Sequence, residues 1–223
     1  VRTKRIPSSS PTRRVGASLN GVRVVCVAAE GDHVLAVSDE GRLFSWGHGK
    51  DGTLGHGERR DETFPRGVKH LEHHFIVTCG TGLRHSACIT VDGDVFLWGF
   101  GLFGQLGNSE RKDALLPRVC EHLATRKEIV DGSVVESRTV AVACGDAHTL
   151  VVFGDGEVYS FGSGRDFVLG HESERSEMVP RKIEALASYR VRAVAASATR
   201  SFAITDAGEL FAWGRGGAHG ATG

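Results

Sequence analysis

Asp92-Gly93-Asp94-Val95-Phe96-Leu97-Trp98-Gly99 is one of four versions of a single pattern in this chain. Gly41 to Trp46, Gly93 to Trp98, Gly156 to Phe161 and Gly208 to Trp213 are each five residues apart, and a glycine follows every one of these aromatics. Working outward, the flanking landmarks keep the same beat. His33, His85, His148 and Arg200 stand eight residues before the four glycines, and Leu19, Leu71 and Leu186 stand fourteen before His33, His85 and Arg200, opened upstream by Pro11, Pro65 and Pro180. In the third unit Pro117 and Leu123 play these parts, but Leu123 lies twenty-five residues before His148, so that unit carries an insertion of eleven. From Trp46 to Pro65, Trp98 to Pro117 and Phe161 to Pro180 the gap is nineteen each time. A register this strict means one supersecondary unit of about fifty residues used four times.

The periodicity shows what one unit builds. Val95 to Gly99 alternates behind an Asp-Gly turn, and His85 to Thr90 is a short apolar run before it, so the two predict a β-hairpin. A third strand is expected at Phe75 to Cys79, matched by Val22 to Ala28, Val140 to Cys144 and Val191 to Ala195. A shorter fourth begins near Pro65, and its proline restricts it to an edge or a strand start. Four short strands per unit with little helical periodicity predict an all-β chain of propeller blades. The glycine-rich stretches after each aromatic lack the strand-loop-helix context and Lys-Ser/Thr ending of a phosphate loop, so their glycines are read as turn residues.

With these residues in view, the chain resembles the regulator of chromosome condensation repeat family. The resemblance rests on Cys144-Gly145-Asp146-Ala147-His148-Thr149, on Asp92 to Gly107, and on Pro117-Arg118-Val119-Cys120-Glu121-His122-Leu123, and it extends from about Pro11 to Gly223. It implies a seven-bladed β-propeller. The chain begins at Val1 and stops at Gly223 in the fourth glycine loop, so about four blades of a larger ring are expected, the missing blades lying in a parent chain. A closed four-bladed ring is the alternative; an open arc would leave unpaired edges. The expected organisation is a basic linker or first edge strand over residues 1–14. Four repeats follow in 15–223, at about 11–64, 65–116, 117–179 and 180–223, with the insertion at about 125–137.

The 223 residues suffice for a sizeable core, and 40% hydrophobic with 24% charged residues is ordinary for a globular protein. No apolar run reaches the length of a membrane span and no secretory leader is visible, so an intracellular protein, cytoplasmic or nuclear, is expected with no membrane partner. Cys26, Cys79, Cys88, Cys120 and Cys144 lack Cys-x-x-Cys spacing and read as buried thiols. Net charge is zero, but Arg2, Lys4, Arg5, Arg13 and Arg14 stand among the first fourteen residues without an acid. That basic tail, with Pro7 to Pro11 between its pairs, reads as a solvated linker; the functional alternative is contact with nucleic acid, chromatin or an acidic partner.

His33, His85 and His148 recur at one position per unit, which suits hydrogen bonding between neighbouring strands better than metal binding, and Arg200 shows that imidazole is not obligatory. His70, His73 and His74 cluster on a polar stretch with only Glu72 beside them, which is too little to fix a metal. There is no Gly-x-Ser-x-Gly elbow and no His-Glu-x-x-His, so no catalytic residue, metal or cofactor is expected.

Two function classes follow. The first is a noncatalytic scaffold that binds another protein through its loops and its insertion, where Arg126, Lys127, Glu128, Ile129, Val130, Asp131, Val134, Val135 and Glu136 flank an Asp131-Gly132 turn and suggest a projecting hairpin. The second comes from the resemblance. The family's founding member exchanges nucleotide on the small GTPase Ran, aided by acids beside the repeat histidine, and Asp32 and Asp146 match them, while Arg84 and Thr199 precede the other two landmarks. The wedge insertion of that exchange factor is missing, since Phe161 to Pro180 keeps the standard spacing. A light-sensing member carries Gly-Trp-Arg-His-Thr, where this chain has Gly82-Leu83-Arg84-His85-Ser86, which speaks against light sensing.

Overall fold

The computed structural model describes residues 19–130 and 133–215. Three four-stranded antiparallel sheets follow one another in chain order. Blade 1 comprises β1 (Val24–Glu30), β2 (His33–Ser38), β3 (Leu43–Gly47) and β4 (Glu62–Gly67). Blade 2 comprises β5 (Ile76–Thr81), β6 (His85–Thr90), β7 (Val95–Gly99) and β8 (Ala114–Val119). A separate two-stranded ribbon, β9 (Arg126–Val130) and β10 (Ser133–Ser137), intervenes. Blade 3 follows as β11 (Thr139–Cys144), β12 (His148–Phe153), β13 (Val158–Gly162) and β14 (Glu177–Lys182), and blade 4 as β15 (Val191–Ala196), β16 (Arg200–Thr205) and β17 (Leu210–Gly214). Each blade is a meander, and the inner strands β1, β5, β11 and β15 lie beside one another, so this is the four-blade propeller arrangement that the repeat predicts.

Burial follows the pattern that named the strands. β6 and β12 are buried along their whole length, as central strands covered by neighbouring blades on both faces must be. The Asp-Gly turns close the β-hairpins as expected: Gly93 has φ +89°, and its N–H bonds to Thr90 O at 3.0 Å. The outer strands differ from the sequence reading by starting three residues before proline, at Glu62, Ala114 and Glu177. The register explains how. Phe44 pairs with Gly67, Ser45 with Arg66, and Gly47 next with Glu62, so Pro65 falls in the unpaired irregularity of an edge strand, where its missing N–H costs nothing. After each outer strand a single 3-10 turn, Lys69–Leu71, Glu121–Leu123 or Glu184–Leu186, buries the leucine landmark.

The meander gives the array two rims. The upper rim carries the turn between the first and second strands of each blade and the long glycine-rich loop from the third to the fourth strand. The lower rim carries the Asp-Gly turns, the 3-10 turns and the ribbon. No helix among the described residues is long and apolar enough to cross a membrane.

Candidate functional site

The repeat histidines form a relay between blades. His33 Nε2 lies 2.8 Å from Ser86 Oγ, His85 Nε2 2.9 Å from Thr149 Oγ1, and His148 Nε2 3.0 Å from Ser201 Oγ. Each hydroxyl belongs to the residue just after the next blade's landmark and donates its only hydrogen to a backbone carbonyl, of Thr53, Gln105 or Val168. The imidazole must therefore be the Nε2–H donor. In blades 2 and 3 its Nδ1 side is closed by glycine: a Cβ at Gly82 would sit 2.7 Å from His85 Nδ1 and one at Gly145 2.6 Å from His148 Nδ1, which accounts for the Gly-x-x-His pattern there, whereas blade 1 has Glu30 at that place. At His85 the Nδ1 is buried without a partner, so a second proton would have no acceptor there. Burial accordingly pushes His33 down to about 4, His85 to about 3 and His148 to about 4. Trp98 and Trp213 reinforce the same carbonyls, donating Nε1–H to Thr53 O at 2.7 Å and Val168 O at 2.8 Å. These residues hold the blades together, as their recurrence predicts.

Two Ser–His pairs mark the outer halves of blades 1 and 3. Ser45 Oγ lies 3.0 Å from His56 Nε2, and Ser160 Oγ 2.8 Å from His171 Nε2. Both serines are fully buried and spend their hydrogen on Leu54 O and Leu169 O, so they clip the glycine loops to the sheet and present no nucleophile.

The structure separates the two acids that the resemblance singled out. Asp32 O accepts from His48 N, just as Arg84 O, Ala147 O and Thr199 O accept from Phe100, Ser163 and Arg215 N. Asp32 is thus equivalent to Ala147, and Asp146, one residue earlier, takes the position of Gly31, Leu83 and Ala198. Asp32 borders a cavity of about 380 Å³ between blades 1 and 2 with His48, Lys50, Asp51, Leu83 and Arg84. Arg84 there forms a two-pronged pair with Asp51 at 2.7 and 2.6 Å and stacks on Phe100, 3.8 Å from the ring centre. Asp146 borders a second cavity of about 370 Å³ between blades 3 and 4, with Phe103, Ser163, Arg165 and Arg215. It is partly buried, and that burial raises its pKa. Both cavities open on the upper rim.

The insertion sits on the opposite rim. It forms the expected hairpin, with Ser133 paired to Val130, Val134 to Ile129, Val135 to Glu128, Glu136 to Lys127 and Ser137 to Arg126. Asp131 and the basic residues Lys4, Arg5, Arg13 and Arg14 lie outside the described residues.

Arg126 belongs to the scaffold, a role that the sequence reading missed. It lies three residues after Leu123, where the other linkers place His74 and Tyr189, and those rings pack at a tilt of 59° against Phe96, centres 4.9 Å apart, and Phe211, centres 4.6 Å apart. In blade 3 the guanidinium takes the ring's place, 3.9 Å from the Phe153 centre and 5.4 Å from that of Tyr159. It also bonds Asp155 Oδ2 at 2.8 Å, Tyr159 Oη at 3.1 Å and Glu157. Burial opposes charge on Glu157, yet hydrogen bonds from Lys182 and Arg126 hold it at about 2. The spacing from Leu123 was the available signal. Arg126→Ala is expected to cost about 1–2 kcal/mol and to speed amide exchange in β9 and β10 at least tenfold, read by hydrogen–deuterium exchange.

Residues 40–89, 92–152 and 155–204 match the family described as "Regulator of chromosome condensation (RCC1) repeat", and 139–167 match a second description of the same repeat. The chain belongs to the RCC1 repeat family of β-propellers. The middle match spans 61 residues against 50 for the other two, and the eleven extra correspond to the ribbon. Among curated proteins the chain is similar to human E3 ubiquitin-protein ligase HERC2, 36% identical over 211 residues that cover 95% of this chain and 4% of that one. It is also similar to the Arabidopsis thaliana ultraviolet-B receptor UVR8, 33% identical over 197 residues, covering 88% and 42%. Among solved structures, human WBSCR16 superposes with TM-score 0.72 at 27% identity, covering 86% of this chain and 48% of that one. Yeast RCC1 (Prp20), solved bound to Kap60, gives 0.70 at 25%, covering 94% and 45%. The chain thus spans less than half of each of these relatives.

Proposed function

We propose that this segment is a noncatalytic protein-interaction platform, a part of a larger propeller, whose lower rim binds a partner protein through the β9–β10 ribbon. The observation that carries this reading is that the extra residues form a hydrogen-bonded ribbon outside every blade, clamped at its base by Arg126. A two-stranded ribbon is marginal by itself, so one that is anchored on a rigid repeat has the character of a recognition element. Replacing residues 127–137 by a short glycine-serine link, with Arg126 kept, should leave the melting temperature within about 2 °C and weaken capture of the partner at least tenfold, about 1.4 kcal/mol. Unchanged capture would remove the ribbon from the interface.

A second reading uses the upper rim. The yeast relative is described with its binding properties to Gsp1p and histones. Asp146 offers a partly buried carboxylate in an interblade cavity there, a charge able to compete with bound phosphates and magnesium on a small GTPase. Accelerated GDP release from a Ran-type GTPase, lost in Asp146→Ala and kept after ribbon removal, would select this exchange function over the scaffold.

A further inference from the structure

Cys26 on β1 and Cys79 on β5 bring their sulfurs to 3.8 Å across the junction of blades 1 and 2. The repeat itself shows that packing does not require this pair. Each inner strand carries a bulge at its second residue, and the register beyond it places Cys26, Thr78, Ala141 and Ala193 at one equivalent position, opposite Val37, Ile89, Val152 and Ile204. The next position holds Val27, Cys79, Val142 and Val194. The scaffold accepts alanine or threonine at the first site and valine at the second. The residues equivalent to this pair at the following junctions, Thr78 and Val142, then Ala141 and Val194, contain no sulfur.

The two thiols also differ in access. Cys26 is half-buried, whereas Cys79 is 7% exposed. The remaining cysteines are buried, and burial pushes the thiol of Cys120 up to about 11 and that of Cys144 to about 12, with Cys88 moved in the same direction.

We propose that Cys26 and Cys79 form an oxidative modification site, in which a low-molecular-weight disulfide such as oxidised glutathione converts them into a cross-link between the first two blades. The Cys26 thiolate attacks one sulfur of the small disulfide, and the first glutathione leaves as a thiol. Its hydrogen bond with Cys26 and its burial raise the Cys79 thiol as well, so its sulfur, already beside Cys26, loses its proton only as it attacks the Cys26 sulfur of the mixed disulfide and expels the second glutathione, which carries that proton away as a thiol. The protein gives up two electrons and two protons, which appear in two glutathione thiols. Closing 3.8 Å to a bond of about 2.05 Å requires side-chain rotation, and Cys26, the more exposed of the two, turns away from its other neighbour, Thr78 Oγ1 at 3.8 Å.

The test is to incubate the full chain with oxidised glutathione, alkylate the remaining thiols and map the peptides. The expected product has lost two hydrogens, links the Cys26 and Cys79 peptides, melts at least about 5 °C higher and reverts with dithiothreitol. Cys79→Val, the residue natural at the equivalent position, should halt the reaction at a glutathione adduct on Cys26, and Cys26→Thr should leave every thiol free. A lasting glutathione adduct on Cys26 in the unaltered protein, a link through Cys88, Cys120 or Cys144, or five unmodified thiols would each overturn the assignment.

Discussion

Acidification from pH 6.5 towards pH 4 is expected to strip several kcal/mol from the stability of the blade array. His33, His85 and His148 are held neutral, with folded values near 4, 3 and 4 against about 6.5 in an unfolded chain. Because the folded values are depressed, the unfolded chain binds more protons throughout this window. Their contribution is complete above pH 6.5 and is lost as the pH falls through the window. With three protons taken up, the slope approaches about 4 kcal/mol per pH unit near pH 5, a large share of a typical domain's stability. Glu157 stays ionised across the window and adds its own loss only below about pH 4.5. The elevated pKa of Asp146 acts in the opposite direction, since its carboxylate is relieved on protonation. Urea midpoints at pH 7.5, 6 and 5 measure the slope. Burial also lowers His56 and His171, which adds to the slope in the same direction. His148→Gln should remove its own share, about 1.3 kcal/mol per pH unit near pH 5, and a flat profile would show that the relay is not neutral and closed to water.

Trp98→Ala is expected to destabilise the array by about 3–5 kcal/mol, whereas Trp98→Phe should cost only about 1 kcal/mol. Trp98 is fully buried, so alanine leaves a cavity at the junction with blade 1 and removes the Nε1 bond to Thr53 O. Phenylalanine keeps most of the volume, and Thr53 O still accepts from Ser86 Oγ at 2.8 Å. The third unit already makes this substitution: Phe161 stands at the same position, and Gln105 O accepts from Thr149 alone of the two side chains. Since repeat arrays transmit stability through neighbouring interfaces, the alanine variant should also expose the amides of blade 1 before those of blade 3. Thermal melting and hydrogen exchange check both claims, and equal losses for alanine and phenylalanine would contradict the packing argument.

Much of this was legible because repetition turns local chemistry into a pattern. The five-residue spacing from Gly93 to Trp98 requires a turn and a strand of fixed length, and His85 falls where a neighbouring blade offers Thr149. The insertion announced itself as eleven residues out of register, and its Asp-Gly turn predicted the hairpin. What was not legible depends on side chains from different units meeting. Arg126 looked like one more charge in a variable loop, but the array folds it over Phe153. Asp32 and Asp146 look alike beside their histidines, yet a one-residue offset puts them at non-equivalent sites in separate cavities. Proline signals a strand boundary in the sequence, whereas the register shows that β4 starts at Glu62 and passes through Pro65 unpaired.

The central claim, that the ribbon-bearing rim meets the partner, is tested most directly by lysine cross-linking of the full-length protein in complex, followed by mass spectrometry. Lys127 in β9 and Lys69 in the 3-10 turn belong to the lower rim, whereas Lys50 and Lys112 lie in the glycine-rich loops of the upper rim. Cross-links to the partner at Lys127 and Lys69 are the predicted result. Cross-links confined to Lys50 and Lys112 would contradict it and place recognition on the rim of Asp32 and Asp146.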